Sequence, residues 1–336
     1  MRQGEGCVLL LAVAAAPMCA FQGAIPQRRL AIGSLEVRRP VGRQEAEAAH
    51  DLMVWLRGRG ANLDGVTLRK SPLGARAGLG VVATEQLESG HQALYIPRRA
   101  QLHADSQELH IASRGFAAST DALLGAADAS LAAALLSELS LLRGCSSKWQ
   151  REAGRDGENH AVASSYYDGY LQALPSPNSM PRAAWLWDRA ELESAGSAVL
   201  ARDAEELRRQ IDAEFNVLTE SQATQLASGE HATEQLWRYA RALVMSRSFR
   251  VCGGGLAMIP GIDIANTRRG APFGMFYYCS KGLAMASFSS TGRLSIASTG
   301  VGVLWCDRDV VPGDELFNCY GQESNHELLL QHGFAL

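Results

Sequence analysis

The segment Gly313-Asp314-Glu315-Leu316-Phe317-Asn318-Cys319-Tyr320-Gly321-Gln322-Glu323-Ser324-Asn325-His326-Glu327-Leu328 decides how this chain reads. Its first half predicts a turn at Pro312-Gly313-Asp314, then a last strand over Glu315 to Tyr320. Gly321 follows the tyrosine. Ser324 then serves as N-cap of a closing helix that runs to Leu330, with Gly333 beyond its end. A phenol that ends a strand can face a pocket. Taken alone, it reads equally as an amphipathic ring at the core edge.

Two further segments carry chemistry. Pro260-Gly-Ile-Asp263-Ile-Ala-Asn266-Thr267 follows an apolar strand. The spacing of Asp263 and Asn266 puts both side chains on one face of a helical turn. By itself the pair is as well explained by capping or a turn. Ala77-Gly78-Leu79-Gly80 lies between two strand signals. Its glycines let a ligand approach the backbone closely, although a lone GxG is more often a simple tight turn. No helix with a third glycine follows, which argues against a dinucleotide fold.

Around these segments the chain reads as strands, then helices, then strands. His50 to Arg59 predicts a short helix with Ala48, Leu52, Trp55 and Leu56 on one face, ended by Gly58 and Gly60. Strand signals follow at Val66–Leu68, Val81–Ala83 and Ala93–Ile96. Leu131, Leu135, Leu139 and Leu142 recur at helical spacing, with Gly144 as the expected stop and a polar surface loop over 146–163. Leu207, Ile211, Phe215 and Leu218 mark another helix. A third is expected from the Thr233 N-cap to Ser246. Strands return at Met258–Pro260, Met275–Tyr278, Leu294–Ala297 and Val301–Trp305. Short strands between polar turns predict small folded-over sheets.

Composition narrows the class. The chain has 336 residues, 47% of them hydrophobic and 20% charged, with Lys+Arg 32 against Asp+Glu 35. That is globular composition, which excludes a disordered chain, a collagen or a basic nucleic-acid tail. No internal run reaches the ~20 apolar residues of a membrane span. Cys145, Cys252, Cys279, Cys306 and Cys319 are scattered without a CxxC pair, so neither a disulfide framework nor a zinc site is expected.

The N terminus reads as a leader. Arg2 precedes an apolar run from Val8 to Ala16, and Ala20 supplies a small residue before Phe21, as in a signal peptide over 1–20. Residues 21–48 form a transit-like or linker segment, with Arg28, Arg29, Arg38, Arg39 and Arg43 in its basic part, 22–43, against one acid, Glu36. Together they look like the bipartite leaders of algae with complex plastids. The alternative is a plain secretory signal followed by a linker.

The order of the three chemical segments resembles a SET-domain methyltransferase. The likeness is to the subclass of plant Rubisco large-subunit lysine methyltransferase and the actin-histidine methyltransferase. Ala77-Gly-Leu-Gly-Val-Val-Ala-Thr, Leu87-Glu-Ser-Gly and Ile96-Pro-Arg look like its opening hairpins. Tyr166-Tyr-Asp-Gly-Tyr-Leu-Gln-Ala-Leu-Pro-Ser-Pro resembles its inserted helical motif, and Ser246-Arg247-Ser-Phe249 the end of its last inserted helix. Gly313 to Gly321, then Ser324-Asn325-x-Glu-Leu to His332-Gly333-Phe334, resemble its end. The likeness covers about residues 48 to 336 in segments.

The resemblance implies an α+β fold over 49–336, with a helical insertion over about 103–250. It implies an S-adenosylmethionine-dependent protein-lysine N-methyltransferase. The alternatives are a protein-histidine N-methyltransferase of the same fold or a non-catalytic SET-like binding module. Carried over residue by residue, it puts Ala77, Gly78, Leu79, Gly80, Arg247, Asp263, Asn266, Thr267, Tyr320 and Phe334 at the cofactor. Tyr320 becomes the catalytic tyrosine. Arg247, Tyr277 and Tyr278 would meet the substrate, although Arg247 reads otherwise as a solvated helix end and the tyrosines as sheet packing. Thr267 departs from the family, which has His there. The expected partner is a protein substrate, with no nucleic acid, no metal and a monomeric chain. The subclass continues past Gly-Phe into a helical docking domain. The sequence stops at Leu336, so that domain is expected to be absent, either in a naturally short form or because the sequence is cut.

Overall fold

The computed structural model describes residues 45–74, 77–152, 164–177, 179–251, 255–268, 275–279, 282–284, 300–320 and 323–336. Side chains of residue 45 and of 143–152, 275–279 and 282–284 are outside that description. The chain opens with helix α1 (Glu45–Gly58), then strands β1 (Asn62–Leu63), β2 (Val66–Lys70), β3 (Leu79–Ala83), β4 (Gln92–Ile96) and β5 (Leu102–His103). Helices α2 (Ile111–Leu124), α3 (Ala127–Glu152), α4 (Asp168–Leu171), α5 (Arg189–Ser194), α6 (Ala198–Glu220) and α7 (Glu234–Arg247) follow. Strands β6 (Ser248–Arg250), β7 (Leu256–Met258), β8 (Met275–Cys279), β9 (Gly282–Ala284), β10 (Val301–Trp305) and β11 (Glu315–Leu316) return before the closing α8 (Asn325–Gln331).

Three small antiparallel sheets result. Their orders are β1-β4-β10-β8-β9, β11-β3-β2 and β5-β7-β6. Each mixes strands from before and after the helical block. The two ends of the chain therefore meet, and the block from α2 to α7 is an insertion between β5 and β6. This is the α+β arrangement expected from the sequence.

The helices form because their apolar stripes have a common target. Leu52, Trp55 and Leu56 of α1, Leu131 and Leu135 of α3, and Trp237, Leu243 and Val244 of α7 are buried in one core. Each such side chain contributes about 1.5–3 kcal/mol of burial. Thr233 caps α7 by accepting from the Leu236 amide at 3.3 Å. Ser324 and Glu327 form a reciprocal capping box on α8, which holds two orphan amides at its start.

The Tyr166–Leu171 stretch ties the insertion to α1. The Arg59 guanidinium lies 4.2 Å from the centroids of both Trp55 and Tyr166. Tyr167 Oη donates to the Gln101 carbonyl at 3.0 Å. At Gly169 a Cβ would come within 2.6 Å of Trp55, so only glycine allows this approach.

Several expectations need correction. Helix α3 runs through Gly144 to Glu152, because one interior glycine costs only about 1 kcal/mol and does not stop a long helix. The start of the expected 146–163 loop is therefore helical, and 153–163 lie outside the described residues. The strand at Met258–Pro260 ends at Met258, since the Ile262 and Asp263 amides turn back onto the Ile259 carbonyl. The last strand covers only Glu315 and Leu316. Beyond it the Asn318 amide donates to Asn266 and its side chain accepts from Cys319, which replaces the ladder. The strand expected at 294–297 lies outside the described residues. Helix α1 spans Glu45–Gly58 and so starts ahead of the helix expected over His50 to Arg59, and Ala48 is already buried.

Candidate cofactor cleft

A turn of 3-10 helix, Ile262–Ile264, sits behind β10. Gly302 of β10 allows this. A Cβ there would lie 2.8 Å from Ile259 and 3.2 Å from Ile262. The turn therefore packs against the sheet and presents the following residues to the space beside α7.

Asp263 points away from that space. Its side chain is 0% exposed. Tyr170 Oη donates to its Oδ2 at 2.6 Å and the Gly261 amide to its Oδ1 at 3.1 Å. Burial pushes the carboxyl above the usual range, opposed first by Arg247 and then by the Tyr170 and backbone bonds. Burial and the Asp263 charge likewise raise the Tyr170 phenol. Arg247, in the last turn of α7, donates from Nη1 to the Asp263 carbonyl at 3.0 Å and stands 3.8 Å from Oδ2. Its side chain stays 23% exposed. It is therefore neither a solvated helix end nor a sealed ion pair.

Asn266 is clamped. Its Nδ2 donates to Glu315 Oε1 at 2.6 Å and to the Leu79 carbonyl at 3.1 Å. Glu315 Oε2 accepts from Ser71 Oγ at 2.6 Å. The Ser71 amide in turn bonds the Gly78 carbonyl at 2.9 Å. The glycine segment, the Asp/Asn segment and β11 are thus one hydrogen-bonded unit. Gly78 has a φ of 66° with open space where a Cβ would stand. Gly80 has none, because a Cβ would overlap the Glu315 carboxylate and lie 3.3 Å from Asn266 Nδ2.

Tyr320 closes the far wall. Its Oη reaches the Ala265 carbonyl at 3.5 Å, the limit of a hydrogen bond. Its ring lies 5.0 Å from His332 and 6.1 Å from Phe334, centroid to centroid. Burial raises the Tyr320 phenol, with Asp263 and Glu323 adding and Arg247 opposing, so it stays neutral near pH 7. Burial lowers His332 to about 4, Arg247 adds to this, and the Ser246 backbone opposes it.

These walls enclose a cleft of about 380 Å³, within the ~300–1,000 Å³ of ligand sites. Ala77, Gly78, Leu79, Arg247, Asp263, Asn266, Thr267, Tyr320 and Phe334 all line it. Asp263 does so through its backbone. Gly80 is not a wall residue and lies one layer behind. Tyr277 and Tyr278 sit on β8, paired with Gly302 and Val301, and their side chains lie outside the described residues. The sequence reading missed His332, Met180 and Pro175 on the walls and Tyr170, Glu315 and Ser71 behind them. The quoted motifs contain Tyr170, Glu315, His332 and Pro175, so the residues were in view without a role. Nothing local marks Ser71 or Met180.

The lining combines a cationic donor with apolar surface. Arg247 offers N–H groups for a carboxylate. Leu73, Ile264 and Phe334 offer apolar surface for a ring system.

The fold is that of a SET domain. The chain is similar to the SET domain of LSMT bound to lysine and AdoHcy, with a TM-score of 0.64 and 19% identity over 88% of this chain and 58% of that one. It is similar to Rubisco LSMT bound to AdoMet, at 0.61, 19%, 86% and 56%, and to Rubisco LSMT bound to sinefungin and monomethyllysine, at 0.60, 18%, 86% and 56%. The chain thus spans less than two thirds of these structures. No protein-family model matches it, and no curated protein does.

Proposed function

We propose that this chain is an S-adenosylmethionine-dependent protein-lysine N-methyltransferase. One observation carries the reading. Residues as far apart as Ala77 and Phe334, singled out separately in the sequence, meet around one cleft in a SET-domain fold. Bound in that cleft, S-adenosylmethionine supplies a sulfonium methyl group open to attack by a neutral nitrogen.

The chain's own residues then have these tasks. Arg247 holds a ligand carboxylate with the N–H groups not spent on Asp263. Asp263, fixed by Tyr170 and Gly261, holds Arg247 in place. Leu79 and Asn266 are locked by their mutual hydrogen bond and give a rigid wall. Tyr320 keeps its phenolic proton, because its raised pKa leaves it neutral. Its oxygen, together with the nearby Ala265 carbonyl, presents partial negative charge to polarised C–H groups. Catalysis by such a site rests on alignment more than on a strong acid or base. Thr267 is buried in the wall. Its position there supports the reading that a smaller residue than His keeps the cleft closed.

What supports a plastid location is the signal-like run over residues 1–20 followed by the basic, acid-poor stretch over 22–43, and what supports a protein substrate is the likeness of fold to the SET domain of LSMT. The test is transfer of labelled methyl from S-adenosylmethionine to a soluble plastid protein fraction, followed by acid hydrolysis. Labelled methyl-lysine supports the proposal. Labelled methylhistidine moves the acceptor to imidazole. Absence of label with folded enzyme and with denatured, lysine-rich protein as second acceptor contradicts methyl transfer.

A further inference from the structure

Glu315 has no part in the assignments above, yet it is a buried charge one layer behind the cleft wall. It is 4% exposed. Its carboxylate accepts from Ser71 and Asn266, both at 2.6 Å. Among the described residues no Lys, Arg or His forms an ion pair with it. A buried acid without a cation is costly, because two hydrogen bonds replace only part of the lost hydration. Gln in its place would keep the shape and one acceptor, so hydrogen bonding alone does not require a charge here.

Its position suggests what offsets the cost. The Asn266 amide that it holds also bonds Leu79, and both line the cleft. A Cβ at Gly80 would overlap the Glu315 carboxylate, so the backbone there comes close to Oε1. Glu315 thus stands one hydrogen-bonded layer behind the wall formed by Gly78, Leu79 and Asn266. Of the other acids near the cleft, Asp263 already has Arg247 and Glu323 lies 3.4 Å from His332. The negative charge of Glu315 is therefore free to act on a ligand across a thin layer that holds no other cation among the described residues.

We propose that Glu315 is a specificity residue that makes the cleft favour a cationic ligand over its neutral counterpart. This rests on the reading that the cleft takes S-adenosylmethionine. That cofactor carries a sulfonium before transfer, and its product, S-adenosylhomocysteine, carries a neutral thioether. Discrimination of this kind helps the product leave.

The test is calorimetric titration of the full chain and of Glu315→Gln with three ligands. S-adenosylmethionine and sinefungin, which has an amine at the methyl position, are cationic at that point, and S-adenosylhomocysteine is neutral there. Glu315→Gln is expected to weaken both cationic ligands by about tenfold, a Coulomb effect across a partly screened layer. Binding of S-adenosylhomocysteine should stay within about twofold, since no charge is lost against it. Glu315→Asp, which keeps the charge, should restore the preference, and Ser71→Ala, which removes a hydrogen bond only, should preserve it. Equal loss for all three ligands in Glu315→Gln, or an equal change of preference in Ser71→Ala, overturns the proposal. Should the wild-type chain bind none of the three, the cofactor reading itself fails.

Discussion

Arg247→Ala probes stability and binding through one side chain. In the native protein Arg247 donates to the Asp263 carbonyl at 3.0 Å and lies 3.8 Å from its carboxylate. A hydrogen bond from a charged donor contributes about 1.5–3 kcal/mol. Because Arg247 is 23% exposed, solvent screening argues for the lower end, about 1–2 kcal/mol. The pH dependence is more diagnostic. Burial already raises the Asp263 carboxyl, and Arg247 is the largest opposing influence. Its removal raises that pKa further. An acid whose pKa is raised on folding contributes stability below its unfolded value, about 4, and loses it as pH rises through the folded value. The penalty of Arg247→Ala is therefore expected to grow between about pH 5 and about pH 8, as an unpaired buried carboxylate is forced to ionise. Urea unfolding of both proteins at the two pH values measures it. Cofactor affinity at neutral pH should fall about thirtyfold, the equivalent of ~2 kcal/mol for a lost carboxylate partner. A pH-independent penalty together with an unchanged dissociation constant refutes the reasoning, and would mean that Arg247 neither steadies Asp263 nor meets the ligand.

Other outcomes follow from the same geometry. Tyr320→Phe keeps the ring that packs on His332 and Phe334, so cofactor affinity should stay within about twofold while methyl transfer falls by on the order of a hundredfold. Full activity in that variant would remove Tyr320 from the reaction. His332→Phe should change acid stability. The imidazole is lowered on folding to about 4. Stability from a neutral buried His is present above its unfolded value, about 6.5, and is lost as pH falls toward 4, by ~3 kcal/mol in full. His332→Phe should therefore flatten the melting temperature profile between those limits, and an unaltered profile would show that His332 titrates alike in the folded and unfolded chain.

Much of this site was legible because its elements carry local signatures. Thr233, and Ser324 with Glu327, announce the starts of α7 and α8. The Val301–Trp305 strand follows from a short apolar run and the helix through Leu131 to Leu142 from its spacing. What stayed hidden depends on partners distant in sequence. Tyr170 meets Asp263 across 93 positions, and Ser71 meets Glu315 across 244. No local pattern encodes those bonds. They decide that Asp263 turns inward and that Gly80 is a spacer behind the wall. Gly144 misled for the opposite reason. Its local preference was read correctly, but the rest of α3 outweighs it. The end of the strand at Leu316 was missed because Asn318 exchanges its ladder bonds for Asn266, again a contact across the fold.

The central claim is that the cleft between the glycine segment and Tyr320 binds S-adenosylmethionine. Calorimetric titration of the full chain with that compound tests it most directly. Saturable one-site binding in the micromolar range, weakened by Arg247→Ala, is the predicted result. A folded protein that gives neither binding heat nor a thermal shift with S-adenosylmethionine or S-adenosylhomocysteine would contradict it.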